Sequence, residues 1–198
     1  MMDLLVANPS HPPDVHHDVR ALYEEGMLRS FATSYVDHPD DPLSATIKRV
    51  VRAVHPSFVT ELERRSFTEL PYKKMRTYPV WEILRTIADR FLDYTYLADR
   101  LWDLSEHRFD HWAAEQVRPQ LDAVYVNQYS SLTTLRRAHQ LGIPSLYRQP
   151  SLHHAFSERI YRKQTIRYPE LVEGQVRLHE GNLADQRNAR RDAELALA

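Results

Sequence analysis

Two stretches of this 198-residue chain repeat one grammar: a short apolar run, a polar turn, an amphipathic segment and a second apolar run. In the first, Leu4 to Ala7 reads as a buried strand that stops at Asn8-Pro9-Ser10. Val15, Val19, Leu22 and Tyr23 then recur at helical spacing, Gly26 supplies a stop, and Leu28 to Val36 returns to strand character. In the second, Asp122 to Val126 is a strand, and Ser130 or Ser131 can cap a helix carrying Leu132, Leu135 and Ala138. Gly142 ends that helix, Pro144 blocks its continuation, and Ser145 to Arg148 forms the next strand. A helix of about 12 residues between strands is long enough for a parallel crossover. The expected fold class is therefore α/β, a Rossmann-like parallel sheet with flanking helices.

Residues 40–118 break the pattern and read as a helix-rich insertion. Leu43, Ile47, Val50, Val51 and Val54 make one apolar stripe, which Phe58 and Leu62 continue after Pro56. Trp81, Leu84, Ile87, Phe91, Tyr94, Ala98 and Leu101 make a longer one, and 111–117 extend it. The charged segments ELERRSFTEL and DRLWDLSEHR read as solvated helix faces. Residues 155–198 are mostly helical, with breaks near Pro169 and Gly181. The final NARRDAELALA is a strong helix former without a stop signal, which suggests truncation at Ala198.

Composition removes several function classes. The formal net charge of −1 gives no overall field for nucleic acid. With no cysteine there is no disulfide framework, thiolate metal site or cysteine nucleophile. Only four glycines are present, against about 14 from average usage of ~7%. Neither GxGxxG nor GxxxxGK[ST] occurs. No run of about 18 apolar residues would span a bilayer, and the N-terminus lacks the basic start of a signal peptide. A cytoplasmic location is expected.

Open parallel sheets bind ligands beyond the carboxyl ends of their strands, and polar clusters stand at three such ends. Asn8, Ser10 and His11 follow the first strand, with turn formation as the competing reading. Asn127, Gln128 and Tyr129 follow the strand at 122–126. Arg148, suited to a phosphate or to a surface salt bridge, precedes Gln149-Pro150-Ser151 and the pair His153-His154, suited to proton transfer or to helix capping. No metal site is expected: His107 and His111 share a helix face but lack a third ligand, and Asp37, Asp40 and Asp41 read as a turn. His16 and His17 start a helix and read as exposed. Arg64-Arg65 with Lys73, Lys74 and Arg76 reads as a solvated loop, with peripheral contact to an anionic inner membrane face as the second reading.

The order DAVYVNQYSSLTTLRRAHQLGIPSLYRQPSLHH, then RYPELVEG and ARRDAELALA, resembles the N-terminal half of group-1 glycosyltransferases, the retaining nucleotide-sugar enzymes of GT-B architecture. The early LLVANPSHPP and EEGMLRSFATSYV are similar too, although relatives often carry glycines where this chain has NPSHPP. The resemblance covers residues 3–36 and 119–198. It implies a single half of a two-domain enzyme, spanning 1–198, that binds a sugar or glycolipid acceptor, with the nucleotide-sugar-binding C-terminal domain absent or supplied by a separate subunit. The nucleotide sugar is then a co-substrate, and no cofactor is tightly bound. By the same resemblance His154 and His153 are the catalytic candidates, facing the donor sugar across the cleft, and the fragment alone is inactive. The alternative expectation is a stand-alone ligand- or partner-binding module without catalysis.

Overall fold

The run Leu4–Ala7 forms β1, the central strand, and all four of its side chains are buried. Alternation then divides the core. Leu5 and Ala7 join Val124, Val126, Phe109, Ala113, Leu135 and Ala138 on one face of the sheet. Val6 joins Val15, Val19, Phe31, Phe67, Leu70 and Met75 on the other.

The structure is a computed structural model that describes residues 2–54, 57–91, 96–171 and 181–198. The other strands are β2 (Leu28–Thr33), β3 (Met75–Thr77), β4 (Ala123–Asn127) and β5 (Ser145–Arg148). All pair in parallel, in the order β3-β2-β1-β4-β5. Helices α1 (Pro13–Glu24), α2 (Pro42–Val54), α3 (Ser57–Glu63), α4 (Pro79–Phe91), α5 (Tyr96–Ala114), α6 (Leu132–Gln140), α7 (His154–Arg167) and α8 (Gly181–Leu195) flank it. The expected α/β Rossmann-like sheet is thus present. Its topology matters for the site: the chain leaves β1 towards β2 through α1 and leaves β4 towards β5 through α6, on opposite faces. The crevice between β1 and β4 is the topological switch point.

Gly142 closes α6 at φ +68° as expected. Other expectations need correction. β2 ends at Thr33 rather than Val36, because Ser34 turns its N–H to the carbonyl of Pro9 at 3.2 Å. The helix-rich block 40–118 also carries β3, not expected from the sequence, whose Met75 is buried and pairs with Phe31. Lys74 directs its ammonium to the carbonyl of Leu28 at 2.7 Å, so it does not belong to a free basic patch. Leu43 and Leu84 are exposed rather than core. His16 is half-buried, stacked on Phe67 with ring centroids 4.0 Å apart. Tyr94 and the 172–174 part of RYPELVEG lie outside the described residues, as do the side chains of Val50, Val51, Val54, Phe58, Ile87 and Phe91.

The largest correction concerns DRLWDLSEHR. Asp103, Glu106 and Asp110 are 6%, 9% and 0% exposed, not solvated. They fall three and four residues apart on one face of α5, and α8 answers them with arginines. Arg187 donates to Asp103 at 2.7 Å, and Arg190 pairs with Asp110. Two complementary charge stripes therefore dock α8 against α5. ELERRSFTEL is likewise only partly surface, since Arg65 pairs with buried Glu82 of α4. Among the described residues no helix is long and apolar enough to cross a membrane.

Candidate functional site

At the switch point a cleft of about 300 Å³ opens. Its walls are Asn8, Pro9 and Ser10 after β1, Asn127 to Ser130 from β4, Glu82 and Arg85 of α4, Trp102 and Glu106 of α5, Pro150, and Arg191 of α8. Five of the residues expected from the sequence meet here: Asn8, Ser10, Asn127, Gln128 and Tyr129.

Their roles differ. Asn8 accepts the N–H of Ser10 on its side-chain oxygen at 3.1 Å, the turn chemistry that competes with ligand binding. Gln128 accepts the hydroxyl of Ser151 at 2.7 Å, which ties the loop after β5 to the cleft. Asn127 is different: its Oδ1 is buried and has no hydrogen-bond partner. Tyr129 shapes the wall. Its φ of +83° places it in the left-handed region, a conformation that costs a bulky residue about 1–2 kcal/mol. The surroundings hold it there. Its ring stacks on Trp102 at 4.7 Å, its hydroxyl donates to Asp103, and its carbonyl accepts from Nε of Arg190 at 2.8 Å.

The N-terminus of α6 is where many parallel sheets bind phosphate. In this chain protein carboxylates fill it. Asp110 accepts the N–H groups of Thr133 and Thr134 at 2.7 and 2.9 Å. Glu194 accepts those of Tyr129 and Ser131 at 2.6 and 3.0 Å, and the Tyr147 hydroxyl at 3.1 Å. Ser131 stands at the N-cap, yet its hydroxyl makes no cap bond; the capping comes from α5 and α8 instead.

Two carboxyls line the cleft in opposite states. Burial works to raise Glu82, but Arg85 and Arg65 prevail and hold it below the usual glutamate range. Arg85 grips it with two bonds, at 2.6 and 3.2 Å. Burial pushes Glu106 up to about 8, helped by the negative charge of Glu82. At neutral pH Glu106 is therefore mainly a protonated acid, able to donate a hydrogen bond or exchange a proton.

The remaining expected residues lie elsewhere. His11 is buried, with Nε2 2.9 Å from the carbonyl of Tyr35 and Nδ1 2.8 Å from His16, and burial lowers it to about 4. Arg148 is a salt-bridge residue, bonded to Asp18 at 3.0 Å and to Asp14. His153 and His154 share the loop of Pro150 but do not line the cleft. Both turn Nε2 to Asp192, at 3.2 and 2.8 Å, and His153 also caps α7 through the N–H of Ala155. Glu82, Arg85, Trp102, Glu106 and Arg191 are additions that the sequence reading missed. The signal for Glu106 was its place in the acidic stripe of α5. Fold and site define a Rossmann-like α/β protein with a polar switch-point cleft. No protein-family profile and no curated protein sequence matches the chain.

Proposed function

We propose that this chain is the acceptor-binding half of a retaining, nucleotide-sugar-dependent glycosyltransferase, holding a hydroxyl-rich acceptor in the cleft between β1 and β4. The observation that carries the reading is that Asn127, whose buried Oδ1 has no hydrogen-bond partner, lines that cleft together with Glu106, a protonated carboxyl. A carbonyl acceptor and an acid donor suit a ligand whose hydroxyls both donate and accept. Trp102 adds an aromatic wall. In the complete reaction an acceptor hydroxyl attacks the anomeric carbon of a nucleotide sugar held by a second domain, and the bond to the nucleoside diphosphate breaks. His154, whose Nε2 lies 2.8 Å from Asp192, serves the donor side, with His153 beside it.

The test is saturation-transfer NMR of the chain with glucose, myo-inositol and glycerol. Saturable binding that Asn127→Ala removes supports the reading. No saturable binding of any of them at tens of millimolar, or binding indifferent to Asn127→Ala, sinks it. A second reading, a partner-binding module, draws on α7, which buries none of its described residues and exposes Phe156, Ile160 and Ile166. A larger species in sedimentation of the chain with its cell extract, lost on Ile166→Glu, supports that alternative.

A further inference from the structure

Arg191 stands out among the charged groups in and around the cleft. Arg65 and Arg85 share Glu82, Arg187 pairs with Asp103, and Arg190 pairs with Asp110. Arg191 has no hydrogen bond and no ion pair among the described residues. Its guanidinium lies over the Tyr129 ring, 5.5 Å from the centroid, and its Nε is buried without a partner. A buried donor on a cation is costly unless something accepts from it. The described wall offers no free anion to do so. Glu82 is already matched by two guanidiniums, and Glu106 carries its proton to about pH 8. The N-terminus of α6 cannot serve an anion either, because Asp110 and Glu194 occupy it. Arg191 is thus the one uncommitted cation on the described cleft wall.

We infer that the cleft takes a hydroxyl-rich ligand bearing an oxyanion, a phosphate or a carboxylate, with the anion on the guanidinium of Arg191 and the hydroxyls against the polar wall of Asn127 to Ser130. Guanidinium geometry favours such an oxyanion over a halide, since two N–H groups match two oxygens. A volume of about 300 Å³ fits a monosaccharide-sized molecule with one such substituent. The inference rests on the acceptor reading of the cleft and narrows it to acidic acceptors.

Calorimetric titration of the full chain with glucose, glucose 6-phosphate, glucuronate and inorganic phosphate tests it, on wild type, Arg191→Gln and Arg191→Lys. At least one charged sugar should bind about tenfold or more tighter than glucose, and which one does so separates phosphate from carboxylate. Arg191→Gln should erase that preference while leaving glucose affinity in place, and Arg191→Lys should keep part of it. Because Arg191 makes no hydrogen bond or ion pair among the described residues, both variants should keep the wild-type circular dichroism, and Arg191→Gln should lower the melting temperature only by the few degrees that the contact with the Tyr129 ring contributes. Equal affinity for glucose and the charged sugars overturns this inference and leaves the acceptor cleft standing. A preference that survives Arg191→Gln overturns it as well. Inorganic phosphate binding as tightly as glucose 6-phosphate, with glucose unbound, overturns both the inference and the acceptor reading, as does a failure of every ligand to bind.

Discussion

Replacing Asp110 with alanine is the sharpest test of how the cleft is held. Asp110 is fully buried and serves three donors of the α6 start: the N–H groups of Thr133 and Thr134 and the Thr134 hydroxyl at 2.9 Å. It also pairs with Arg190, itself 14% exposed. Thr134 is wholly buried, so its N–H cannot turn to water, and an unsatisfied buried donor costs about 1–3 kcal/mol. Loss of helix capping is worth about 1 kcal/mol. Breaking one side of a buried ion pair costs about 3–5 kcal/mol. The low end applies here, because Glu194 remains 3.5 Å from Arg190. These terms share atoms and do not add, so a loss of about 4 kcal/mol is expected. For a domain of this size that lowers the melting temperature by about 8–16 °C. Urea denaturation followed by tryptophan fluorescence measures it. Asp110→Asn should fall between, and Asp110→Ala/Arg190→Ala should be less damaging than the sum of the single changes. A loss below about 1 kcal/mol for Asp110→Ala would refute the argument that this carboxylate anchors α6.

Further expectations follow from the same geometry. Glu106 binds its proton more tightly folded than unfolded, so it favours the native state at low pH, and that stability is lost as pH rises from about 4.5 through about 8. Glu106→Gln should therefore be relatively more stable than wild type at pH 8 than at pH 5, read from melting curves at both. His11 has the opposite sign: buried neutral at about 4, it loses stability as pH falls from 6.5 towards 4, and His11→Gln should blunt the acid sensitivity of the melting temperature. Arg148→Ala breaks only partly exposed pairs with Asp14 and Asp18, so it should cost at most about 1 kcal/mol and leave glucose binding unchanged by calorimetry.

Much of the fold was legible because buried parallel strands are short apolar runs, and LLVA and AVYV can hardly be anything else. The βα order put Asn8, Ser10, Asn127, Gln128 and Tyr129 at strand ends, but that β1 and β4 adjoin at the switch point is a property of the sheet order. β3 was not legible: in MRT only Met75 is apolar, and its pairing with β2 comes from the sheet rather than from its own pattern. Asp103, Glu106 and Asp110 misled for a related reason. Charged residues on a helix ordinarily face water, and what buries these is α8, some 80 residues further along. His11 and Arg148 were rightly placed at strand ends, but a strand end has two sides. Both turn towards α1, away from the cleft.

The last of the described helices also sets the order in which this protein can become competent. Arg187, Arg190, Arg191 and Glu194 all belong to α8, and the N–H of Tyr129 waits for Glu194. During synthesis the sheet through β5 emerges first and can assemble its two apolar layers. Until α8 brings Glu194, the start of α6 has Asp110 of α5 as its cap, and the N–H groups of Tyr129 and Ser131 lack their acceptor. A nascent chain therefore carries the architecture before it carries the complete site, and proteolysis that clips α8 would leave a protein of nearly the same sheet content whose cleft lacks Arg191.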